Sequence, residues 1–385
     1  MCLLKKIITT LFALSLIISS LSLVSFSQNS IYEKNNLNDI KLQIEDSIKG
    51  ILYDGFSEFY HVNGFQFRFD DFTYDGTKVT ADVSVTMNKT LKAEKPEDLP
   101  YIKGMLKKLN LDELPYRSET KIAKVIAEFN KDIKVDKNDR VVREIRTKFN
   151  DLDEYINQPF DNNFHLKISA NTKSGLVLKE ELVILAENVD SLTSITNVLP
   201  QSSDKMELNG YSDMQMLLEM NDRNYLTRLY PGYDRIAARD YAREYTSDPA
   251  NCDVHGWSCG MKQDRSKWNL SSYPYYSALL HNDCANFVSQ SLHAGGIPTD
   301  SQWRYYRMEW ANTADLKNYM KNIKGYWIPS TFSLAAAGGV LYTSSSHVVL
   351  IVRNDTVVRE FCAHTNDRWN ENYSNNPNFE YYVLW

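Results

Sequence analysis

The 385-residue sequence predicts an α+β protein built from two units. Three observations carry that expectation. Hydrophobic spacing switches along the chain between a helical period and strict alternation, the marks of amphipathic helix and half-buried strand. All seven Trp residues lie after position 250. From Asn221 onward acidic and basic residues balance at 16 each, so the earlier part carries the net acidity. The breaker-rich run Leu199-Pro200-Gln201-Ser202-Ser203-Asp204 and the later Pro231-Gly232 bracket this change of character. The expected division is a signal peptide over 1–27, an α+β accessory domain over 28–205, a linker over 206–229 and a second domain over 230–385.

The chain opens like an exported one. Lys5 and Lys6 precede an apolar run from Ile7 to about Val24, and Ser25-Phe26-Ser27 supplies small residues for cleavage. A retained anchor is the alternative, because the run is close to spanning length. Cleavage would leave no stable membrane span and a secreted or cell-wall-associated protein. Cys2 lies before the apolar run, where a lipid-attachment cysteine does not belong. Removing residues 1–27 takes away two Lys and no acid, so the net charge moves from −6 to −8. With no basic stripe, a nucleic-acid partner is excluded. Four cysteines remain, Cys252, Cys259, Cys284 and Cys362, too few for a disulfide scaffold in a chain this long.

In the N-terminal part, Ile40, Leu42, Ile44, Ile48 and Ile51 predict a helix over 38–52. Phe65, Phe67 and Phe69 alternate with polar residues, and Val79, Ala81, Val83 and Val85 do the same beyond the turn Asp75-Gly76, which predicts a hairpin. Helices follow at 97–109, 119–133 and 139–157, then a strand pair at about 163–187. His61 and His165 stand apart from any nucleophile, metal spacing or phosphate loop, so each reads as a surface or hydrogen-bonded histidine. An accessory or binding role fits this part better than a second enzyme.

The chemistry lies further on. Asp234 can cap a helix running to about Tyr245, with Ala238, Tyr241, Ala242 and Tyr245 on one face. A second helix begins at Asn282-Asp283-Cys284, buries Phe287, Val288 and Leu292, and stops at Gly295-Gly296 before Pro298. Cys284 thus sits in the first turn, where unpaired N–H groups and the helix dipole favour a thiolate and can hold an oxyanion. A buried cysteine that only packs is the other reading. His347 leads the apolar run Val348-Val349-Leu350-Ile351-Val352. A two-residue turn at Asn354-Asp355 would return the chain so that His347 lies opposite Cys362, with His364 as its diagonal neighbour. One histidine could then act as base with the other orienting it, and a surface strand start with two unrelated histidines is the alternative.

These residues resemble a known family. Tyr233-Asp234-Arg235 with Ala237-Ala238, the run Asp283-Cys284-Ala285-Asn286-Phe287-Val288-Ser289-Gln290, the stop Gly295-Gly296-Ile297-Pro298, His347 before an apolar strand, and Ala363-His364-Thr365-Asn366-Asp367 are similar to the amidase-domain family of secreted bacterial proteins. That family resembles the papain-like wall hydrolases of the NlpC and CHAP types. The resemblance covers about residues 230–385. It implies a papain-like domain with Cys284 as nucleophile, His347 as base and His364 as orienter, with Asn366 and Asp367 as rivals for the third role. Two positions depart from the pattern beside the proposed base. Gly338-Gly339 stands where Gly-Asp belongs, and Val348 follows the histidine where a small polar residue is common.

The implied activity is hydrolysis of an amide bond, with peptide or cell-wall amide as substrate. The thiolate attacks the carbonyl, helix N–H groups stabilise the oxyanion, the imidazolium protonates the leaving amine, and water releases the acyl group. That chemistry needs no metal or cofactor. Two other readings stand beside it: an inactive wall- or surface-binding protein that keeps the fold, motivated by Gly339 and Val348, and a papain-like acyl transferase. Cys252 and Cys259 flank a short loop, for which a disulfide, two free thiols, or a metal site shared with His255 are the possibilities. Cys362 reads as a buried thiol and the competing nucleophile. Tyr273, Tyr275, Tyr276, Trp303, Tyr305, Tyr306 and Trp310 are either core or the walls of a groove. The oligomeric state is open.

Overall fold

A computed structural model describes residues 37–114, 118–129, 135, 139–221, 232–274, 282–344 and 347–384. The expected signal peptide lies outside them. In order, helix α1 (37–56) leads into strands β1 (Tyr60–Tyr74) and β2 (Lys78–Leu91) and helices α2 (Pro100–Lys108), α3 (Glu119–Phe129) and α4 (Arg140–Tyr155). Strands β3 (Phe160–Lys173), β4 (Leu176–Val177), β5 (Val183–Asn188) and β6 (Ser191–Ser194) come next, then helices α5 (Ser203–Asn221), α6 (Arg235–Glu244) and α7 (Cys284–Ala294). Short helices α8 (Met308–Ala311) and α9 (Thr313–Lys317) precede strands β7 (Ile328–Ser330), β8 (Val340–Thr343), β9 (Val348–Asn354), β10 (Arg359–Ala363), β11 (Arg368–Asn372) and β12 (Phe379–Val383). The mixed α+β class is the one the periodicities predict. Among the described residues no helix is long and apolar enough to cross a membrane.

By contact the chain divides into two units, at places the composition does not mark. The smaller holds residues up to 51, 71–81 and 168–183. There α1 buries Ile40, Ile44 and Ile48, spaced one turn apart, while Leu42 stands 53% exposed because two residues carry it round the helix. Gln43 accepts from Val177 N–H at 2.9 Å and donates to Gly175 O at 3.2 Å. The Asp75-Gly76 turn forms as expected: Asp75 Oδ1 accepts from the N–H groups of Thr77 and Lys78, and Gly76 takes φ +98°.

The larger unit holds 52–70, 82–167 and everything from 184. With residues 60–70 of β1, 82–91 of β2 and 160–167 of β3, its sheet runs β1-β2-β3-β11-β10-β9-β8-β12-β7. The expected boundary between an accessory and a C-terminal domain is therefore not a break in the sheet. Strand β11 pairs parallel to β3, with Glu371 opposite Asn163. A change in composition did not reveal this, because the join is made by complementary charge. Arg368 pairs with Glu187, and His165 lies 2.7 Å from both Glu371 and Asp248. Burial works against a charged His165, but the Glu371 and Asp248 carboxylates hold its pKa above the ordinary value. It is a hydrogen-bonded histidine, as the sequence suggested, though a buried one.

The expected linker is likewise largely helix. Residues 203–221 form α5, which crosses α2 at two glycines. A Cβ on Gly104 would fall 1.9 Å from Glu207 O, and one on Gly210 would fall 1.9 Å from Tyr101 O. The breaker run that suggested a linker start leads into the helix, whose first residues are Ser203 and Asp204, and one glycine within it serves close packing. Residues 222–231 lie outside the described set.

Two apolar clusters lie on the C-terminal strands. Val340, Tyr342, Val348, Leu350, Val352 and Cys362 share one with Cys284, Phe287, Val288 and Leu292 of α7. Leu341, Val349, Ile351, Phe361 and Ala363 belong to the other. Alternation along β8, β9 and β10 makes this division, one residue to each face in turn.

Candidate active site

Asp234 caps α6 as predicted: its Oδ1 accepts from Ile236 and Ala237 N–H at 3.0 Å each. Tyr233 OH donates to Gly338 O at 2.6 Å, and Arg235 pairs with the buried Asp151. This end of α6 therefore abuts the Gly338-Gly339 segment that leads into β8. The departure at Gly339 has a steric cause. A Cβ there would lie 2.7 Å from Tyr382 O and 2.8 Å from Ala336 O, so an aspartate has no room.

Cys284 opens α7, and every residue from Cys284 to Leu292 is buried. Asp283 stands at the N-cap position but does not cap. Its Oδ1 accepts from Asn286 Nδ2 and its Oδ2 pairs with His364 Nδ1, each at 2.8 Å. The Asp283 side chain thus leaves the first-turn N–H groups uncapped. The N–H groups of Val348 and Ala285 and the Thr365 hydroxyl favour the Cys284 thiolate, though among the described residues none makes a hydrogen bond to its sulfur. Burial nevertheless pushes the thiol above its ordinary value, and the neighbouring Asp283 charge pushes the same way. The low-pKa thiol that a helix N-terminus alone would give is not the resting state. Burial outweighs the dipole here.

The departure at Val348 also finds its place. Its side chain fills the cluster around Cys284, and its N–H favours the thiolate. His347, one residue earlier, joins β8 through Thr343: Thr343 N–H donates to His347 O at 2.9 Å, and His347 N–H donates to Thr343 Oγ1 at 3.2 Å. The pleat puts His347 on the face of Val349 and Ile351, opposite to Val348. Thr343 Oγ1 in turn donates to Asp190 Oδ2 at 2.7 Å. Burial pushes the imidazole down to about 4, while the Asp190 charge works to raise it and the Arg368 charge to lower it. Among the described residues no hydrogen bond joins Cys284 Sγ to the His347 ring. Val348, which shares the apolar cluster of Cys284, is the next residue after His347.

The expected register does not hold. Cys362 pairs with Leu350, not His347, and Arg359 pairs with Asn354. Two causes act. The turn is longer than two residues, because Asp355 Oδ1 accepts from Val357 and Val358 N–H, and Thr356 takes φ +74°. A bulge between Glu360 and Phe361 then shifts the pairing again. His364 consequently lies away from His347. Its Nε2 lies 2.7 Å from Tyr245 O, and its ring stacks between Trp268 and Phe287 at 4.2 and 4.0 Å. Although burial opposes it, the Asp283 carboxylate holds the His364 pKa above normal. Asn366 Oδ1 accepts from Lys262 N–H at 3.0 Å. Asp367 Oδ2 accepts from Asp264 N–H at 2.9 Å and Trp268 Nε1 at 3.0 Å, and burial raises its pKa to about 6. All three candidates for the third role brace the Cys284 helix or the 262–268 loop. Among the described residues none hydrogen-bonds His347.

Two residues escaped the sequence reading. Thr365 Oγ1 accepts from Asp283 N–H at 3.0 Å and favours the Cys284 thiolate, with its own backbone at φ +90°. A β-branched residue rarely tolerates that conformation, and such strain clusters at functional sites. Asp190 is the second. It follows Val189, whose φ is +63°, in the tight β5–β6 hairpin where Asn188 pairs with Ser191. Asn188 and Ser374 exchange two hydrogen bonds of 3.1 and 3.0 Å that hold this hairpin beside the C-terminal strands. No local motif marks Asp190, because its position depends on contacts across more than 150 residues of sequence.

Cys252 and Cys259 are free thiols, so the disulfide reading is not met. Their sulfurs and one His255 ring nitrogen lie within 4.8 Å of one another, a group able to hold a metal ion. Cys362 is buried, and burial pushes its thiol up to about 12, which disfavours its thiolate. Trp303 and Trp310 are core, while Tyr306 is 71% exposed. Tyr275 and Tyr276 lie outside the described residues.

With this geometry in view, comparison with known proteins places one part of the chain. Residues 232–384 match an amidase-domain family. The family's description is "Putative amidase domain". The matched region runs from the α6 cap through the Cys284 helix to β12, and it points to amide hydrolysis. The chain is also 29% identical over 114 residues to the uncharacterized protein YjcM of Bacillus subtilis strain 168. That match covers 29% of this chain and 22% of YjcM, so the chain spans less than a quarter of that relative's length. No solved structure matches.

Proposed function

We propose that the protein is a secreted cysteine amidase or peptidase that hydrolyses an amide bond, with cell-wall peptide as the substrate class, on a papain-like C-terminal domain. One observation supports this above the others. Within the amidase-domain match, Cys284 opens a buried helix and shares one apolar cluster with Val348, the residue that follows His347. The resting pair is a protonated thiol beside a neutral imidazole. As the sulfur attacks the carbonyl carbon, its proton passes to His347, which turns onto it in the substrate complex. Catalytic hydrogen bonds often tighten only there. The first-turn N–H groups, which Asp283 leaves uncapped, stabilise the oxyanion. The imidazolium then protonates the leaving amine, and water attacks the thioester to release the acid. Asp190 supplies negative charge behind His347 in place of the expected third residue.

The test is product analysis with purified wall peptide fragments. The wild-type protein should generate new amino and carboxyl termini, and Cys284→Ser should generate none. Equal product from both proteins would end the proposal. An added amine that captures the acyl group in place of water would make the enzyme a transferase.

The second reading is a wall-binding protein without activity. The raised Cys284 thiol and the placement of His347 on the other face of β9 favour it. It requires that wall fragments bind and remain intact at every pH tested.

A further inference from the structure

A second buried group of reactive side chains lies away from Cys284. Lys89, on β2, is fully buried, and among the described residues it makes no ion pair. A lysine so placed is costly as a cation. Its Nζ lies over the rings of Phe56, Tyr60, Phe160 and Phe164, at 4.0, 4.8, 5.2 and 5.9 Å from their centroids. Its hydrogen-bond partner is the carboxamide of Asn162, on the neighbouring strand β3, with Nζ 2.5 Å from Oδ1. Asn162 is itself fully buried, and its Nδ2 has no hydrogen-bond partner among the described residues. Both carboxyl oxygens of the buried Glu360 also lack a hydrogen bond, with Arg243 Nη2 3.9 Å away. Of the charges acting on Lys89, that of Glu360 is the strongest.

The protonation states complete the set. Burial pulls the Lys89 amine well below its ordinary value, so its lone pair is free. Burial pushes Glu360 up to about 7, so a proton is available on the acid. The Lys89 amine and the Asn162 carboxamide share one aromatic-walled space, and the buried Glu360, whose charge acts on Lys89, can carry a proton. These are the requirements of an amide exchange: a nucleophile freed of its proton, an acid to polarise the acceptor, and enforced proximity.

We propose that Lys89 and Asn162 join in an intramolecular amide cross-link, with Glu360 as the acid that promotes it. The Nζ lone pair attacks Asn162 Cγ while the Glu360 proton polarises Oδ1. The tetrahedral adduct passes one Nζ proton, by way of the Glu360 carboxylate, to Nδ2. The Cγ–Nδ2 bond breaks and ammonia leaves. The new Nζ–Cγ amide carries the remaining Nζ proton, and Glu360 ends as it began. No oxidant or cofactor takes part. The bond ties β2 to β3 and, unlike a disulfide, is indifferent to reductant.

The test is a peptide map of the purified full chain by mass spectrometry, which does not depend on any amidase assay. The expected result is a branched peptide joining the Lys89 and Asn162 segments, lighter than their sum by one ammonia. Lys89→Arg should remove it entirely, and Glu360→Gln should leave the residues in linear peptides. Lys89 and Asn162 recovered only in unmodified linear peptides from the wild-type protein would overturn the proposal, whether or not either variant folds. Full cross-linking in Glu360→Gln would overturn the role given to Glu360.

Discussion

The two faces of the C-terminal strands handle reactive groups in opposite ways. The face covered by α7 is apolar, and Cys284, Val348 and Cys362 lie in it among Phe287, Val288 and Leu292. At the start of β9 the other face meets charge, where Asp190 and Arg368 act on His347. Burial raises both thiols on the first face. On the second it lowers the imidazole, and Asp190 offsets part of the drop. The difference teaches that the proposed nucleophile and the proposed base are kept apart by the pleat and held neutral. The catalytic reading therefore requires His347 to turn towards the Cys284 side when substrate binds.

Removing the base should have the largest effect. His347→Ala should lower the rate of amide hydrolysis by about 10²–10⁴-fold, read as kcat/KM on wall peptide. The sign of the pH dependence follows from the depressed imidazole. His347 is neutral above about pH 4 and protonated below it. Activity should therefore hold down to about pH 4 and fall as pH drops further. An acid limb at the ordinary histidine value would show that the second face does not desolvate the ring.

Gly339→Asp comes next. It restores the residue the family pattern leads one to expect, yet it forces a side chain against two carbonyl oxygens. The expected loss is roughly 3 kcal/mol or more of stability, measured by denaturant unfolding. An unchanged midpoint would mean that the β8 entry is looser than described.

Asp190→Asn should act on the charged face alone. Losing the carboxylate removes the influence that raises His347, so the acid limb moves to lower pH and the weaker base slows turnover severalfold. Thr365→Val should act on the other face. It removes a hydroxyl that serves both Asp283 N–H and Cys284, so the pH at which Cys284 is alkylated should rise, with turnover changed only a few-fold. If the Asp190 change moves the alkylation of Cys284 as strongly as the Thr365 change does, the two faces are not separate.

How much of this was legible in sequence depends on range. The α6 cap at Asp234, the helix beginning at Cys284 and the Asp75-Gly76 turn are written in neighbouring residues, where capping and turn chemistry act, and each is found where expected. Residues that depend on register were misplaced. Two side chains, Asn354 and Asp355, bond back to the chain and lengthen a turn. One bulge after Glu360 then moves His364 away from His347 and against Asp283. The long-range join of β3 to β11 and the arrival of Asp190 beside Thr343 have no local signature. The helix α5 was hidden by Ser202-Ser203-Asp204, which reads as a break but lies at a helix start.

The claim that everything else serves is that the Cys284 sulfur carries the acyl group. The direct measurement is inactivation by iodoacetamide, followed by peptide mass analysis of each cysteine alongside residual amide hydrolysis. Activity should fall in step with alkylation of Cys284, slowly at neutral pH and faster above the ordinary thiol range, with Cys362 unmodified. A protein fully alkylated at Cys284 that still hydrolyses its substrate would contradict the account.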